Sequence, residues 1–360
     1  MSLQVKITKK LANFSLDVDF MVESREILAV LGASGSGKSM LLKCIAGVET
    51  PDTGCIVLDD RVLFDSSRKI NLLPQERRVG LLFQNYALFP NMTVYQNIYH
   101  SVRKGRYSGP EQERLINGIM DTLQLTKIRN NSVMRISGGE MQRTALARIL
   151  VNDAELMMLD EPLSALDEHL KFSLEMELKE IIGNFGKSVL FVTHDRDQAH
   201  RLGDRIALVN DGLIEKIAPV REIFMHPDTV EGARITGVKN IAAATVKNGI
   251  VEVPRWGLSF DLCRIAGSDG WSEKDIHYIG IRMNDVKLAK GKEDLSKGNI
   301  FTFKIADVLS NVFSYTVKLY NPDVSDPLPF YWQISKDLWE PEHRNIVELY
   351  LRDSIVMPLK

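Results

Sequence analysis

Cysteine is scarce in this chain. Cys44, Cys55 and Cys263 are odd in number, far apart and without a partner spacing, which argues against a disulfide framework and a zinc site and fits a reducing compartment. Long apolar runs are missing as well. No segment approaches the about 20 apolar residues that cross a bilayer, and Met1 to Leu11 carries charges where a secretory leader has an apolar core. A membrane, if this protein serves one, is served from outside the lipid. Neither sign of charge is in excess: 45 basic and 47 acidic residues leave a net −2, and no polybasic tail or basic-aromatic stretch offers nucleic acid a surface. Internal repeats and low-complexity tracts are also absent. What remains is an ordinary globular composition over 360 residues, more than one hydrophobic core usually serves, so a large domain followed by a smaller one is expected.

From Leu3 to about Val22 apolar residues alternate with polar ones around turn formers near Asn13, which predicts an antiparallel β-layer. The apolar run Ile27 to Leu31 ends at Gly32, and Lys38 to Ala46 reads as a helix closed by Gly47. The order is strand, glycine loop, helix. Leu156 to Leu159 and Val189 to Val192 are further buried-strand runs, each ending in an acid or a histidine where a parallel sheet opens its carboxyl edge. Their ends should converge on one site. Between Tyr86 and Val151 the pattern is helical, with Thr93-Val94-Tyr95-Gln96 and Ser137-Gly138-Gly139-Glu140 both readable as capping boxes, so a helical subdomain of about 86–151 is expected within a first domain of 1–229. After about Thr229 short strands alternate with Gly, Pro, Asn and Asp: Thr245 to Val253, Tyr278 to Met283, Ile300 to Val308, Phe313 to Tyr320 and Ile346 to Leu351. With Asn321-Pro322 and Asp326-Pro327 as turns, residues 230–360 read as a separate small β-barrel.

Gly32-Ala33-Ser34-Gly35-Ser36-Gly37-Lys38-Ser39 is G-x-x-x-x-G-K-S in the required context, after a strand and opening a helix. Its glycines let backbone amides turn inward around phosphates, Lys38 would neutralise the β and γ oxygens, Ser39 would hold Mg²⁺, and the helix start adds its dipole. Alone this loop says only nucleoside triphosphate. Leu156-Met157-Met158-Leu159-Asp160-Glu161 supplies a carboxylate to orient the metal through water, Asp160, and a second to polarise the attacking water, Glu161. Thr193-His194 ends the next apolar strand, where an imidazole could donate to the γ-phosphate.

Ile136-Ser137-Gly138-Gly139-Glu140-Met141-Gln142-Arg143 is a capped helix start that resembles the signature motif of ATP-binding-cassette proteins. With Gln84 after an apolar strand and Ser164-Ala165-Leu166-Asp167 after Glu161, the ordered set of cassette motifs spans Gly32 to His194. The resemblance implies an α/β fold: a P-loop (RecA-like) nucleotide-binding domain with an antiparallel β-subdomain and a helical signature-bearing subdomain. It also implies that two such domains pair head to tail, each ATP lying between Lys38 of one copy and Ser137 of the other. Carried over residue by residue, ATP is bound by Gly32, Ala33, Ser34, Gly35, Ser36, Gly37, Lys38 and Ser39, and also by Ser137, Gly138, Gly139, Glu140 and Asp167. Ser39, Gln84 and Asp160 serve Mg²⁺, and Glu161, His194 and Gln84 serve catalysis. The Asn85 to Thr93 stretch would form the cleft that receives a permease's coupling helix.

Arg77-Arg78-Val79-Gly80, the run Phe83 to Pro90 and Val238-Lys239-Asn240 resemble importer ATPases with a C-terminal regulatory β-domain. Within that group Lys10 to Asp17, Arg61 to Asp65 and the Gly237-Val238-Lys239-Asn240 join look most like molybdate-import ATP-binding proteins, while sulfate, ferric-iron and polyamine importers share most of the residues. The implied protein is a peripheral subunit at the cytoplasmic face of the cell membrane that energises uptake of molybdate or tungstate. Its implied partners are a second copy, a permease dimer and, indirectly, an extracytoplasmic solute-binding protein, with no nucleic acid. The rival, a soluble cassette ATPase in translation or DNA repair, usually carries tandem cassettes or a coiled-coil insertion, and neither is present. Four departures stand out. Leu11 lies near the place of the adenine-stacking aromatic and Phe14 is the closest ring. Ile136 and Glu140 replace the usual leucine and glutamine, and Arg25 replaces a turn glycine. The tail lacks a Ser-Ala-Arg-Asn-like oxyanion segment.

Overall fold

The computed structural model describes residues 2–360 apart from 104, 165–167, 268–270, 290–295, 297 and 342–344. It divides into two compact units, Met1–Val220 and Arg221–Lys360. The first unit runs β1 (Leu3–Lys10), β2 (Ser15–Val22), β3 (Ile27–Gly32), α1 (Lys38–Ala46), β4 (Thr53–Leu58), β5 (Arg61–Asp65), β6 (Ile70–Asn71), β7 (Val79–Leu82), α2 (Val94–Tyr99), α3 (Gly109–Thr122) and α4 (Gly138–Val151). It continues with β8 (Leu156–Asp160), α5 (Glu168–Phe185), β9 (Val189–Thr193), α6 (Arg196–Leu202), β10 (Arg205–Asn210) and β11 (Leu213–Pro219).

Among the described residues these strands form one mixed eleven-stranded sheet, in the order β6-β5-β4-β1-β2-β11-β10-β3-β9-β8-β7. Its two halves differ as their residues dictate. β1 and β2 pair antiparallel from Leu3↔Val22 to Lys10↔Ser15, and β2 alternates exposed and buried residues, as a strand with one wet face must. β3, β8 and β9 are parallel neighbours, buried almost without interruption, because helices cover both faces. Their register is what builds a site. Leu31 lies opposite Thr193, and Asp160 opposite Val192, so the carboxyl ends of the three strands open at one edge. α2, α3 and α4 occupy the segment between β7 and β8.

The turn between β2 and β3 contains Arg25 at φ 61°, with its amide donating to Ser188 Oγ at 3.1 Å. A side chain in this left-handed region costs roughly 1–2 kcal/mol, and glycine returns part of that gain through the greater freedom of its unfolded chain. Arg25→Gly is therefore expected to stabilise the protein by roughly 0.5 kcal/mol, read as a higher urea midpoint at constant m-value. A lower midpoint would mean the arginine side chain contributes more than its backbone strain removes.

The second unit comprises α7 (Val220–Met225, shared with the boundary), α8 (Val230–Ile235), β12 (Asn240–Ala243), β13 (Thr245–Lys247), β14 (Ile250–Val253), β15 (Leu258–Asp261), β16 (Tyr278–Ile281) and β17 (Lys287–Leu288). The remaining strands are β18 (Gly298–Ser310), β19 (Ser314–Tyr320), β20 (Phe330–Ser335), β21 (Ile346–Arg352) and β22 (Met357–Leu359). They make two three-stranded sheets, β12-β16-β22 and β13-β14-β15, and a curled five-stranded half-barrel, β17-β21-β18-β19-β20. Aromatic rings hold its core. Phe303 stacks on Phe330 with centroids 5.2 Å apart, Trp256 meets Phe330 edge-on at 5.2 Å, and the buried Trp332 indole donates to the Val286 carbonyl at 3.1 Å. Such pairs add about 0.5–1.5 kcal/mol each beyond burial. Asn240 bonds both the amide and the carbonyl of Tyr331 at 2.7 Å, so β20 is tied along its outer side.

Candidate functional site

The loop between β3 and α1 is a turn that only its glycines permit. Gly35 and Gly37 have φ 85° and 95°, and a Cβ on Gly32 would strike the Val209 carbonyl. Gly37 caps α1 and Gly47 ends it in the left-handed conformation, so the first amides of the helix point at the loop's mouth. Ala33, Ser34 and Gly35 form the exposed rim. Ser36 Oγ is buried without a partner. Lys38 is 4% exposed, and its ammonium donates to the carbonyls of Gly32 (3.0 Å) and Ala33 (2.7 Å). Burial pushes the Lys38 pKa down, against the pull of Glu161 and Asp160. A cation with only carbonyl partners and an orphaned hydroxyl make a loop built for an anion.

Two acids stand across from this loop at the end of β8. Asp160 Oδ1 accepts from Ser39 Oγ at 2.8 Å, and burial raises the carboxyl's pKa. Glu161 has φ 46°, with its amide donating to the Val192 carbonyl at 3.0 Å. That turn holds the Glu161 carboxylate between Gln84 Nε2, 3.3 Å from Oε2, and His194 Nδ1, 3.2 Å from Oε1. Gln84 Nε2 also lies 3.4 Å from Ser164 Oγ, which donates to the Glu161 carbonyl at 2.9 Å. So Gln84, Glu161 and His194 converge, and Lys38, Ser39 and Asp160 lie beside them.

Ser137 caps α4 in a complete capping box: the Glu140 amide donates to Ser137 Oγ at 3.3 Å, while the Ser137 amide and hydroxyl donate to Glu140 Oε2 at 2.8 and 2.9 Å. Gly138 is exposed, and a Cβ on the buried Gly139 would lie 3.4 Å from Leu174 on α5. Thr93 caps α2 in the same way, with the Gln96 amide at 3.2 Å. Asp167, with Ala165 and Leu166, lies outside the described residues.

The ABC transporter family profile matches residues 16–164. The spermidine/putrescine import ATP-binding protein PotA of Aliivibrio fischeri is 36% identical over 290 residues, 80% of this chain and 75% of that one. PotA of Oleidesulfovibrio alaskensis is 32% identical over 317 residues, 86% of this chain and 82% of the relative. This chain belongs to the ABC transporter ATPase family. Among solved structures, the dimeric ATP-binding cassette MJ0796 in a post-hydrolysis state with ADP and Pi has a TM-score of 0.52 at 28% identity, covering 61% of this chain and 99% of its own.

Membership means an ATP-binding site, and the residues present fit one. Magnesium takes hard oxygen donors, and Ser39 Oγ and Asp160 Oδ1 meet at the loop's mouth. Among the described residues no group of three or more His, Cys, Asp or Glu is placed to hold a metal ion. Around Glu161 the ABC ATPase adds side chains that sequence reasoning missed. A cavity of about 190 Å³ is lined by Glu161, Ser164, His194, Lys171, Asp195 and Gln198. Asp195 pairs with Lys171 and caps α6 through the amides of Asp197 (2.9 Å) and Gln198 (3.2 Å). An acid just before a helical run was the available signal for Asp195; nothing local marks Lys171, which arrives on α5 from elsewhere in the chain.

The Asn85 to Thr93 stretch borders a cleft of about 610 Å³ whose lining includes Phe83, Tyr86, Ala87, His100 and Arg148. Tyr86 is buried at φ 60° and Ala87 follows at φ 45°. Arg148 fixes this turn, donating to the Ala87 carbonyl at 2.6 Å with its guanidinium 4.9 Å from the ring centre of the half-exposed Phe89. No helix among the described residues is long and apolar enough to cross a membrane.

Proposed function

We propose that this chain is the ATP-binding subunit of an ABC importer and hydrolyses Mg·ATP between two head-to-tail copies of itself. The observation that carries the chemistry is the meeting of Lys38, Ser39, Asp160 and Glu161 at the carboxyl edge of β3, β8 and β9. In this reading the loop Gly32 to Ser39 holds the phosphates, with Lys38 neutralising the β and γ oxygens. Ser39 and Asp160, with Gln84 on the water side, hold Mg²⁺, which when bound spreads the charge developing on the transferred phosphoryl group. Glu161 accepts the proton of the attacking water, while His194 donates to the γ-phosphate and Gln84 aligns the water. Ser137, Gly138, Gly139, Glu140 and Asp167 face the ATP held by the partner copy.

The importer assignment draws on the PotA relatives, which match most of the chain, and on the cleft beside Tyr86, which in this reading receives a permease coupling helix. The subunit then works at the cytoplasmic face of the membrane with a permease dimer and, indirectly, a solute-binding protein. In this reading the first domain, expected over 1–229 and dividing from the second unit at Val220, is the ATPase, and the second, expected over 230–360, is regulatory. The expected oxyanion does not hold its place as solute. The long-matching relatives bear the polyamine name, so this reading takes a polyamine such as spermidine or putrescine in place of molybdate.

The test is ATP hydrolysis in proteoliposomes holding the co-expressed membrane subunits and solute-binding protein, with spermidine, putrescine, molybdate, tungstate or sulfate supplied. Several-fold stimulation by a polyamine alone is expected. Stimulation by molybdate and tungstate instead would restore the oxyanion and keep the importer, whereas a flat response to every solute would contradict the importer reading for all of them.

A further inference from the structure

Glu140 stands where the family's signature usually has glutamine, and the geometry gives that single difference a consequence. One carboxylate oxygen, Oε2, takes both the amide (2.8 Å) and the hydroxyl (2.9 Å) of Ser137. These are the donors at the start of the 14-residue α4, where the proposed function brings up the partner's γ-phosphate. No lysine or arginine among the described residues pairs with Glu140; its neighbour Arg143 is bonded to Glu177 at 3.1 Å. The helix start favours one anion, and Glu140 already supplies it.

We infer that the Glu140 carboxylate occupies the phosphate-facing donors of Ser137 in the separated chains and repels the partner-bound ATP, so that it raises the ATP concentration at which the dimer closes. This rests on the shared-site reading above. A glutamine keeps the capping geometry, since its amide oxygen can accept the same two bonds, but it brings no negative charge to the phosphates. Glu140 is on this account a positioning residue that sets a threshold for closure and takes no part in the bond-breaking step.

The experiment is an ATP titration of dimer formation, followed by light scattering with Mg²⁺ present, in a Glu161→Gln background that cannot turn over. Adding Glu140→Gln is expected to lower the midpoint ATP concentration about tenfold, equivalent to about 1.4 kcal/mol, and the gap should narrow as salt is raised. Glu140→Ala loses the cap as well as the charge, so its midpoint should also fall although its thermal stability drops. An unchanged or higher midpoint for Glu140→Gln would overturn the inference, the higher one because it would mean the carboxylate pairs with a cation of the partner. Ser137→Arg in the same background separates the two ideas. If it abolishes dimers while Glu140→Gln changes nothing, only this inference fails; if Ser137→Arg dimerises normally, the shared-site reading itself fails.

Discussion

Glu161→Gln is expected to lower kcat for ATP hydrolysis about 1000-fold while leaving ATP binding and thermal stability nearly unchanged. Gln replaces Glu atom for atom and keeps one acceptor oxygen, so Gln84 at 3.3 Å loses little. What disappears is the site that takes the water's proton. Lys38 and Ser39, which face the phosphates in the proposed mechanism, are untouched, which is why KM should hold while kcat collapses. Single-turnover hydrolysis separates chemistry from product release. A loss of less than about tenfold would move the base elsewhere in the site, with His194 the next group to test.

Arg77→Ala is expected to cost about 3–4 kcal/mol of folding stability, against less than about 1 kcal/mol for Arg78→Ala next to it. Arg77 is fully buried, with four hydrogen bonds and no acidic partner among the described residues: Nε to Leu72 O (2.9 Å), Nη1 to Cys44 O (2.8 Å) and Ile45 O (2.9 Å), and Nη2 to Asn71 Oδ1 (2.7 Å). It closes the carboxyl end of α1, whose last carbonyls have no helical partners. Deleting it strands the Ile45 carbonyl beside a cavity and leaves the Cys44 carbonyl only the 3.3 Å bond from the Gly47 amide. Part of the bonding energy already offsets the cost of burying a guanidinium, so the bonds are not additive. Arg78 instead pairs with Glu155 at 2.8 Å on a side chain 44% exposed, where solvent weakens the pair. Urea denaturation of both variants decides the matter, and equal losses would contradict the argument. Because α1 begins at the phosphate loop, Arg77→Ala should also loosen ATP binding.

The glycine turn from Gly32 to Ser39, the acids at the end of β8 and the capping box at Ser137 were legible as structure because each signal is local. Glycines, a strand ending in acids and a Ser-to-Glu spacing carry their meaning within eight residues. The antiparallel layer was legible as alternation, and Lys38 to Ala46 as a helix with its glycine stop. What could not be read is what tertiary packing decides. Arg77 looks like a surface residue in the sequence and becomes the cap of a distant helix. Lys171 and Gln198 join Glu161 only because Lys171 pairs with Asp195 across the chain and α6 packs beside β9. In the second unit β20 (Phe330–Ser335) alternates buried Phe330, Trp332 and Ile334 with half-buried Tyr331, Gln333 and Ser335, a period-2 signal present in the sequence but absent from the strands expected there. The solute is weakly constrained for a related reason: in the proposed importer the ATPase serves the nucleotide, so residues near the P-loop say little about what is carried, and the polyamine name of the relatives favours the polyamine alternative over molybdate.

The central claim is that each ATP site is built from two copies, and mixing two dead variants tests it most directly. Lys38→Ala removes the phosphate cation and Ser137→Arg blocks the signature helix, so each homodimer should be inactive. A one-to-one mixture should contain mixed dimers, at most about half of the total, each with one intact site made of Lys38 from one copy and Ser137 from the other. Hydrolysis should then reappear, up to about a quarter of the wild-type sites. A mixture no more active than its separate components would contradict a site shared between copies.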